Sequence, residues 1–234
     1  MGRNDGIVEI FSLDPFRELT AFSNHTAAIS AVALSRDGKL LASADLSGKG
    51  RICDWATRKE IARWTMLPGL CHLAFAPDGQ VVASGSGDGT VQLWNVADGR
   101  LLTPLRGHTL PISAIGFSAD GRLLATGAWD NTTKLWDVSS RQLIATLKGA
   151  RLGVFGIAFS TEGSRLVTGE GGVIRIWDVA TQQELLTLKG HAYLTRVAFA
   201  LDGKTLISAS IDGVRYWRAP SLEEIAAREE SPAR

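Results

Sequence analysis

The sequence predicts an all-β fold built from repeated four-stranded sheets. Three observations lead to this prediction: an acidic residue–glycine pair recurs at nearly constant spacing, an aromatic residue recurs with the same period, and the segments between these markers have the pattern of short strands. No sustained helical periodicity precedes Ser221. A period of about forty residues indicates a solenoid or a propeller, so it has to be settled before any single motif is interpreted.

The two markers divide the chain into equal parts. The dipeptide occurs with spacings of 41, 42, 42 and 40 residues, at Asp37-Gly38, Asp78-Gly79, Asp120-Gly121, Glu162-Gly163 and Asp202-Gly203. Tryptophan recurs with spacings of 42, 41 and 40 residues, at Trp94, Trp136, Trp177 and Trp217. Counting back from Trp94 places Cys53 and then Phe11 at corresponding positions. Five full repeats therefore follow one partial repeat.

The third repeat shows the elements of each unit. "ISAIGFS" alternates as a half-buried strand does, and "ADGR" supplies a turn in which glycine takes a positive φ. "LLATGA" is mostly apolar, which predicts a second strand buried on both faces. After the turn "WDNT", the segments "TKLWDV" and "QLIATLKG" give a third and a fourth strand. Four strands in about 41 residues make one propeller blade.

The repeats set the domain boundaries. We expect one β-propeller domain over residues 1–222, followed by a polar tail over 223–234 that is helical or disordered. Ser221 and Glu224 have the spacing of a helix capping box, although a short last strand is the alternative after Pro220. Within the domain we predict a partial blade at 1–23 and repeats at 24–65, 66–106, 107–148, 149–189 and 190–222.

Composition argues against several classes of protein. Lys and Arg number 25 and Asp and Glu 24, so the net charge is +1, without the basic excess of a nucleic-acid binder. No apolar run approaches the roughly 20 residues of a membrane helix. Cys53 and Cys71 have no partner at metal-ligand spacing, and no glycine-rich phosphate loop precedes a helix. We therefore expect no metal, no cofactor, no nucleic-acid or membrane partner, and a cytoplasmic location.

The repeats resemble a known family. Gly107-His108 followed by "FSADGRLLATGAWDNTTKLWD", with copies that end in "LWN", "IWD" and "YWR", is similar to the WD-repeat (Trp-Asp repeat) β-propellers over residues 7–222. The resemblance implies four-stranded antiparallel blades and a non-catalytic scaffold that binds a partner protein or peptide on its loop face. The ending "YWRAPSLEEI" resembles the tails of bacterial WD-repeat proteins.

A structural tetrad of His, Ser or Thr, Asp and Trp is also implied by this resemblance. Two complete sets are present, His108, Thr126, Asp130 and Trp136 and then His191, Ser208, Asp212 and Trp217. The first three types would suit a hydrolase, but a catalytic triad is normally built once, whereas this constellation recurs. We interpret both sets as packing devices in which each buried polar group gains a partner, and predict that the protein is not an enzyme.

The other repeats keep only partial tetrads. These comprise His25 and Ser43 in repeat one, Ser84, Asp88 and Trp94 in repeat two, and Thr168 and Trp177 in repeat four. In repeat one, Ser47 stands at the Asp position and Cys53 at the Trp position. Met66 and Ala150 replace the other two histidines, and Glu170 begins an "EGG" segment in place of the Asp turn.

Large side chains in the turns are the candidates for partner binding. Trp129 precedes Asp130 in a turn that needs no tryptophan, and Leu46 and Ile211 hold the same place in their repeats. Leu110, Arg151, Leu152, Tyr193 and Leu194 lie where the inner strands begin. An exposed patch of such residues is typical of a protein interface.

The partial first blade leaves the ring incomplete. "NDGIVEIFSLDPFRELTAF" aligns with two outer strands only. We expect the chain to be the C-terminal part of a longer protein. Alternatives are a second copy that closes a larger ring by self-association through the open edge, or an open or strained arc. The functional alternatives are a regulatory or sensor part of a larger enzyme such as a bacterial protein kinase, a propeller with its own hydrolase activity, and a chromatin or nucleic-acid reader.

Overall fold

The computed structural model describes residues 1–23, 25–200 and 202–218, and these residues form strands and turns only. The prediction of an all-β fold is confirmed. The tail at 223–234 and the segment after Pro220 lie outside the described residues. Within the described part of the chain, no helix is long and apolar enough to cross a membrane.

The twenty strands form six antiparallel sheets in sequence order. The N-terminal sheet has two strands, β1 (Val8–Leu13) and β2 (Phe16–Phe22). Blade 1 has four, β3 (Ile29–Leu34), β4 (Leu40–Asp45), β5 (Lys49–Asp54) and β6 (Lys59–Thr65). Blade 2 has three, β7 (His72–Phe75), β8 (Val81–Gly85) and β9 (Val91–Asn95).

The remaining sheets repeat this order. Blade 3 contains β10 (Ile112–Phe117), β11 (Leu123–Ala128), β12 (Thr132–Asp137) and β13 (Leu143–Lys148). Blade 4 contains β14 (Gly156–Phe159), β15 (Arg165–Gly169), β16 (Gly171–Asp178) and β17 (Glu184–Leu194). Blade 5 contains β18 (Arg196–Phe199), β19 (Thr205–Ser210) and β20 (Gly213–Arg218). The predicted partial blade therefore does consist of two strands.

The acidic residue–glycine pairs make the turn between the first and second strand of each blade. Gly121 has a φ of 74°, a conformation that disfavours a side chain. The carboxylate of Asp120 accepts hydrogen bonds from Ser118 Oγ at 2.6 Å and from the backbone N–H of Arg122 at 3.1 Å. This local network fixes where β10 ends and β11 begins, and so sets the register of the blade.

The outer edge of blade 2 departs from the predicted four strands. Residues 101–105 pair with β9 only through two isolated bridges, which join Val91 to Leu105 and Trp94 to Leu101. Pro104 lies within this segment and has no N–H to donate. The segment therefore follows the edge of the blade without becoming a regular strand.

Apolar side chains between neighbouring blades form the core. The residues before Cys53 and Trp94 pack against the second strand of the next blade, so that Ile52 shares a cluster with Val82 and Leu93 shares one with Leu124. All four side chains are buried. Trp64 on β6 and Trp94 on β9 stack between blades 1 and 2 with their ring centroids 5.5 Å apart. Each blade is therefore held mainly by its neighbours.

The first strands of successive blades lie side by side around the centre of the molecule. Contacts run from β3 to β7, β7 to β10, β10 to β14 and β14 to β18. Near the turns between the first and second strands, Arg36 Nη1 donates to the carbonyl of Ala119, two blades away, at 3.1 Å. His72, at the other end of β7 from that turn, is half-buried, and its burial together with the positive charge of Arg196 lowers the pKa of the imidazole to about 4.

The environment of His72 predicts that acid destabilises the folded protein at pH values above those at which carboxylates usually become protonated. Folding lowers the pKa of His72 from 6.5 to about 4, so the unfolded chain binds more protons than the folded protein between these two pH values. The free energy of unfolding therefore decreases as the pH is lowered from 6.5 to 4. The contribution is no more than about 3.5 kcal/mol, at about 1.4 kcal/mol per pKa unit, and less where water reaches the ring. Urea titrations from pH 7 to pH 4 should show a shallower slope for His72→Gln; identical slopes would contradict the assignment.

Candidate functional site

A chain of four buried polar side chains crosses blade 3. His108 lies in the segment before β10, Thr126 on β11, Asp130 in the next turn and Trp136 on β12. His108 Nδ1 is 2.9 Å from Asp130 Oδ2, and His108 Nε2 is 2.9 Å from Thr126 Oγ1. Trp136 Nε1 donates to the same Thr126 oxygen at 2.9 Å. The structure thus brings together all four residues of the first predicted tetrad.

Blade 5 repeats this arrangement. His191 Nδ1 is 2.6 Å from Asp212 Oδ1, and His191 Nε2 is 2.7 Å from Ser208 Oγ. Trp217 Nε1 donates to Ser208 Oγ at 2.7 Å. Two sets with the same partners show that the constellation belongs to the blade rather than to one special place in the molecule.

The electrostatics of the blade 3 tetrad favour a neutral imidazole beside a charged carboxylate. Burial lowers the pKa of His108 more than the Asp130 carboxylate raises it. Burial by itself would raise the pKa of Asp130, but hydrogen bonds from Thr132, from the backbone of Thr109 and from His108 lower it overall. The Thr126 hydroxyl, already engaged with two partners, is fully buried. A substrate therefore has no access to the hydroxyl that would have to attack it.

Blade 1 corrects one sequence interpretation. Ser47 was assigned to the Asp position, but the carboxylate that meets His25 Nδ1, at 2.9 Å, belongs to Asp45. Ser47 instead donates through Oγ to Asp45 Oδ1 at 2.6 Å. His25 Nε2 is 2.8 Å from Ser43 Oγ, so three of the four roles are filled. The misassignment arose because Asp45 follows Ser43 by two residues, whereas the Asp of blade 3 follows its Thr by four.

Blade 4 replaces the His–Asp pair with an ion pair. Glu170, two residues after Thr168 as Asp45 is after Ser43, is buried and accepts from Arg175 Nε at 3.1 Å. Arg175 Nη2 donates to the carbonyl of Gly149, beside the position where histidine is absent. Burial raises the pKa of Glu170 more than the guanidinium lowers it. Sequence inspection missed this pair because its members occupy no motif position.

Partial tetrads in blades 2 and 4 keep the Trp hydrogen bond. Trp94 Nε1 donates to Ser84 Oγ at 2.8 Å, and Trp177 Nε1 donates to Thr168 Oγ1 at 3.0 Å. Asp88 accepts from the backbone N–H of Thr90 at 2.9 Å and so shapes its own turn. The hydroxyl-to-indole bond therefore persists where histidine has been lost.

The loop face is the second candidate site, and Trp129 is its most prominent member. The indole is 49% exposed, and its edge meets Phe155 with ring centroids 4.8 Å apart. Gly153 N donates to Asn131 Oδ1 at 2.6 Å, which joins the turn of blade 3 to the segment leading into β14. Phe155 was missed from the sequence because it lies in no repeat motif. The pair makes Trp129 both exposed and firmly positioned.

Most of the other predicted contact residues are exposed as well. They are Leu46, Leu110, Arg151, Leu152, Tyr193 and Ile211. The side chain of Leu194 is not among those described. Leu152 packs over Gly171 in the next turn, where an added Cβ would lie 2.7 Å from the leucine Cβ. Leu46 lies on blade 1, away from Trp129 on blade 3, and its carbonyl accepts a hydrogen bond from Gly69 N in the segment before β7.

The described residues were also compared with the requirements of a metal site and of a reactive thiol. Among the residues that the structure describes, no group of three or more His, Cys, Asp or Glu side chains is arranged to hold a metal ion. Cys53 and Cys71 are both buried, and burial raises the pKa of Cys71 to about 11. A thiol with a raised pKa is a poor nucleophile at neutral pH.

Comparison with protein families agrees with this geometry. A family model described as "WD domain, G-beta repeat" matches residues 16–54, 68–95, 99–137, 141–178 and 182–214. The chain belongs to the WD40 family. The first matched segment runs from β2 through β5, so the sequence repeat is offset by one strand from the sheet. One sequence repeat therefore contains the outer strand of one blade and the first three strands of the next.

Individual relatives of this WD40 chain are eukaryotic proteins that match it in part. Autophagy-related protein 16 of Arabidopsis thaliana is 26% identical over 117 residues, covering 47% of this chain and 23% of the relative. Actin-interacting protein 1 of Drosophila melanogaster is 30% identical over 105 residues, or 44% and 17% of the two chains. The chain thus spans about a fifth of the length of these relatives. A bacterial origin stays a prediction.

The tetrad geometry predicts an order of stability losses. Ser208→Ala leaves both Nε2 of His191 and Nε1 of Trp217 without a partner, whereas Ser43→Ala unpairs only Nε2 of His25 and Ser84→Ala only Nε1 of Trp94. Each buried group left unpaired costs about 1–3 kcal/mol. Urea denaturation of the three variants should therefore place Ser208→Ala lowest. Equal losses in all three would show that the shared hydroxyl is not what matters.

Proposed function

We propose that this chain is a non-catalytic scaffold that binds a partner protein or peptide on its loop face. The observation that carries the proposal is the half-exposed indole of Trp129, which Phe155 holds in place on a turn that needs no aromatic residue. An anchor that is ordered before binding loses little conformational entropy when a partner covers it. Tryptophan and arginine are the side chains most often found at the centre of protein interfaces.

Neighbouring side chains give this surface a mixed character. Leu152 is 63% exposed and Arg151 beside it is exposed too, on the segment that packs against the turn of Trp129. Leu110, before the first strand of blade 3, is similarly exposed, and so is Tyr193, which lies on the outer strand β17 of blade 4 and not at the start of an inner strand as predicted. A peptide with apolar side chains and a nearby carboxylate would match an apolar surface with one guanidinium.

Burial of the tetrads argues against the hydrolase alternative. In both complete sets the hydroxyl is fully buried and already bonded to an imidazole and an indole. A nucleophile must be able to approach its substrate in line, and these oxygens sit beneath the sheet surface. We therefore propose that the chain is not itself an enzyme. A regulatory role within a larger enzyme is compatible with a scaffold, and we propose a cytoplasmic location on composition alone.

Peptide selection on the intact chain tests the loop face. Peptides selected from a random display library should bind Trp129→Ala and Leu152→Ser at least about tenfold more weakly than the parent, as expected when an interface anchor is lost. Leu143→Ser is the matched control, because Leu143 is 44% exposed but lies on the outer strand of blade 3. Binding that survives both loop-face changes, or that is lost in the control, would overturn the proposal.

Thermal melts accompany this experiment. Trp129→Ala also removes the contact with Phe155, so we expect a loss of about 0.5–1.5 kcal/mol from the aromatic pair. A change of that size leaves the protein folded, so weaker peptide binding can be read as a loss of contact.

We also propose that the exposed flanks of the terminal sheets associate with a second copy of the chain. Tyr216 on blade 5 is 71% exposed, whereas Leu135, at the corresponding position of blade 3, is 2% exposed beneath blade 4. Leu34 on β3, beside the two-stranded N-terminal sheet, is exposed as well. Apolar sheet faces and unpaired strand edges of this kind promote association.

Light scattering over a range of protein concentrations measures that association. The average mass should rise with concentration for the parent chain and rise less for Tyr216→Lys, because the new charge cannot be buried without a partner. Leu143→Lys changes an equally apolar but different surface and should behave like the parent. A concentration-independent monomer mass for the parent chain would refute association through the flanks.

A further inference from the structure

The outer edge of blade 1 contains a basic cavity that the loop-face proposal does not use. Three cross-strand pairs line its volume of about 350 Å³: Lys49 with Thr65, Gly50 with Trp64, and Arg51 with Arg63. The first residues of β5 and the last residues of β6 make these pairs. We call this place the blade 1 cavity. It lies beside the loop face, because only the turn after Asp45 separates Leu46 from Lys49.

Positive charge exceeds negative charge in the blade 1 cavity. Glu60 is the one carboxylate paired with its cations, through Arg51 Nη1 and, at 3.2 Å, through Arg63 Nε. Lys49 has no ion-pair partner among the described residues, and its side chain is exposed. Three cations therefore share one carboxylate, which leaves a surplus of two positive charges. That surplus would be neutralised by a ligand carrying about two negative charges.

An unpartnered donor lies in the wall of the same cavity. Trp64 is 5% exposed, and its Nε1–H has no acceptor within the described part of the chain. The nitrogen sits close to Gly50, where an added Cβ would lie only 2.4 Å from it. A buried donor without an acceptor costs about 1–3 kcal/mol. Since Nε1 itself is shielded from solvent, a ligand oxygen recovers that energy when the indole shifts toward the cavity. The surplus positive charge and the unpaired N–H are independent observations, and both indicate a ligand with negatively charged oxygen atoms.

Blade 4 shows what a satisfied version of this place looks like. Its corresponding arginine, Arg175, meets two carboxylates, Glu170 and Glu184, and also the carbonyl of Gly149. The charge of this arginine is thus paired within the chain in blade 4, whereas the cations of blade 1 outnumber the carboxylate they share. The difference marks blade 1 rather than the outer edge of every blade.

We propose that the blade 1 cavity binds the phosphate group of a phosphorylated serine or threonine on a partner peptide. A phosphate monoester carries about −1.5 to −2 charges at neutral pH and has three acceptor oxygens. Guanidinium groups pair with such oxygens through parallel N–H bonds, and the lysine adds a point charge. The choice of a peptide as the source rests on the proposed function, since a segment bound at Leu46 on the loop face reaches Lys49 directly.

Titration of the full chain with N-acetyl-phosphoserine amide tests the cavity itself. The probe should shift the indole N–H resonance of Trp64 in ¹H–¹⁵N NMR spectra in a saturable manner, and Trp64→Phe assigns that resonance. N-acetyl-serine amide, which lacks the phosphate, should produce no saturable shift. If the phosphoserine probe leaves the Trp64 resonance unmoved up to millimolar concentration, the cavity does not bind phosphorylated serine and the proposal is wrong.

Variants of the exposed cations locate the binding. Lys49→Ala and Arg63→Ala should each weaken phosphoserine binding by about tenfold, the effect of losing one charged hydrogen bond. Lys59→Ala makes the same charge change on β6 outside the cavity and should bind like the parent. Equal affinities for all three variants would overturn the assignment even if phosphate binds somewhere. Both cavity variants replace exposed side chains, and unchanged melting temperatures confirm that they fold.

A vesicle arm distinguishes the source of the phosphate. Phosphatidylcholine vesicles that contain a phosphatidylinositol phosphate should not sediment the protein in a Lys49-dependent way. If they do while the phosphoserine probe fails, the ligand is a lipid headgroup and the peptide proposal is wrong. If phosphoserine does not bind, the peptide-binding result for Trp129→Ala is unaffected. If Trp129→Ala does not weaken peptide binding, the measured affinity for phosphoserine still stands. The two proposals can therefore fail separately.

Discussion

Packing of one sheet against the next is the constraint on which the rest of this structure depends. In blades 1, 2 and 3 the side chains before Cys53, Trp94 and Trp136 are fully buried against the second strand of the following blade. Each such contact removes a whole aliphatic side chain from water, worth about 1.5–3 kcal/mol. Where no described blade follows, the corresponding Tyr216 is exposed. The sheets are therefore not independent units, and their stability is shared between neighbours.

The hydrogen-bonded tetrads complete this packing rather than replace it. They join the loop before the first strand, the second strand and the third strand of one blade, and so fix its loop-face end. Blades 2 and 4 lack the histidine yet keep their first three strands, because their apolar contacts remain. Blade 4 substitutes an ion pair between Glu170 and Arg175, and the guanidinium also donates to the carbonyl of Gly149. Polar detail can thus vary from blade to blade while the fold stays constant.

Both proposed binding surfaces lie where the repeat leaves side chains unconstrained. The turn of Trp129 needs only Asp130 and Asn131 for its own hydrogen bonds, so the preceding position is free to carry an indole. The cations of blade 1 likewise project from the ends of β5 and β6, beyond the part of the sheet that the next blade covers. A repeated scaffold with variable edges suits recognition of a partner, because changes there leave the core packing intact.

The sequence by itself determined the all-β class, the number of repeats and the turn positions. Each of these follows from a local pattern: alternation along a strand, a glycine that takes a positive φ, or a marker that recurs at fixed spacing. The two complete tetrads were identified through the resemblance to the WD-repeat family. The two-stranded N-terminal sheet follows as well, since its alignment with outer strands is local.

Only the tertiary structure decided which groups meet across strands and blades. Asp45 rather than Ser47 reaches His25, because the end of β4 carries the carboxylate toward the preceding loop. Phe155 supports Trp129 from the next blade, and Trp64 is buried against Trp94 with its N–H unpaired. The physical reason is that a period in the sequence fixes the path of the backbone, whereas a side-chain contact depends on the angle at which two blades pack and on which atoms that angle brings within hydrogen-bond distance.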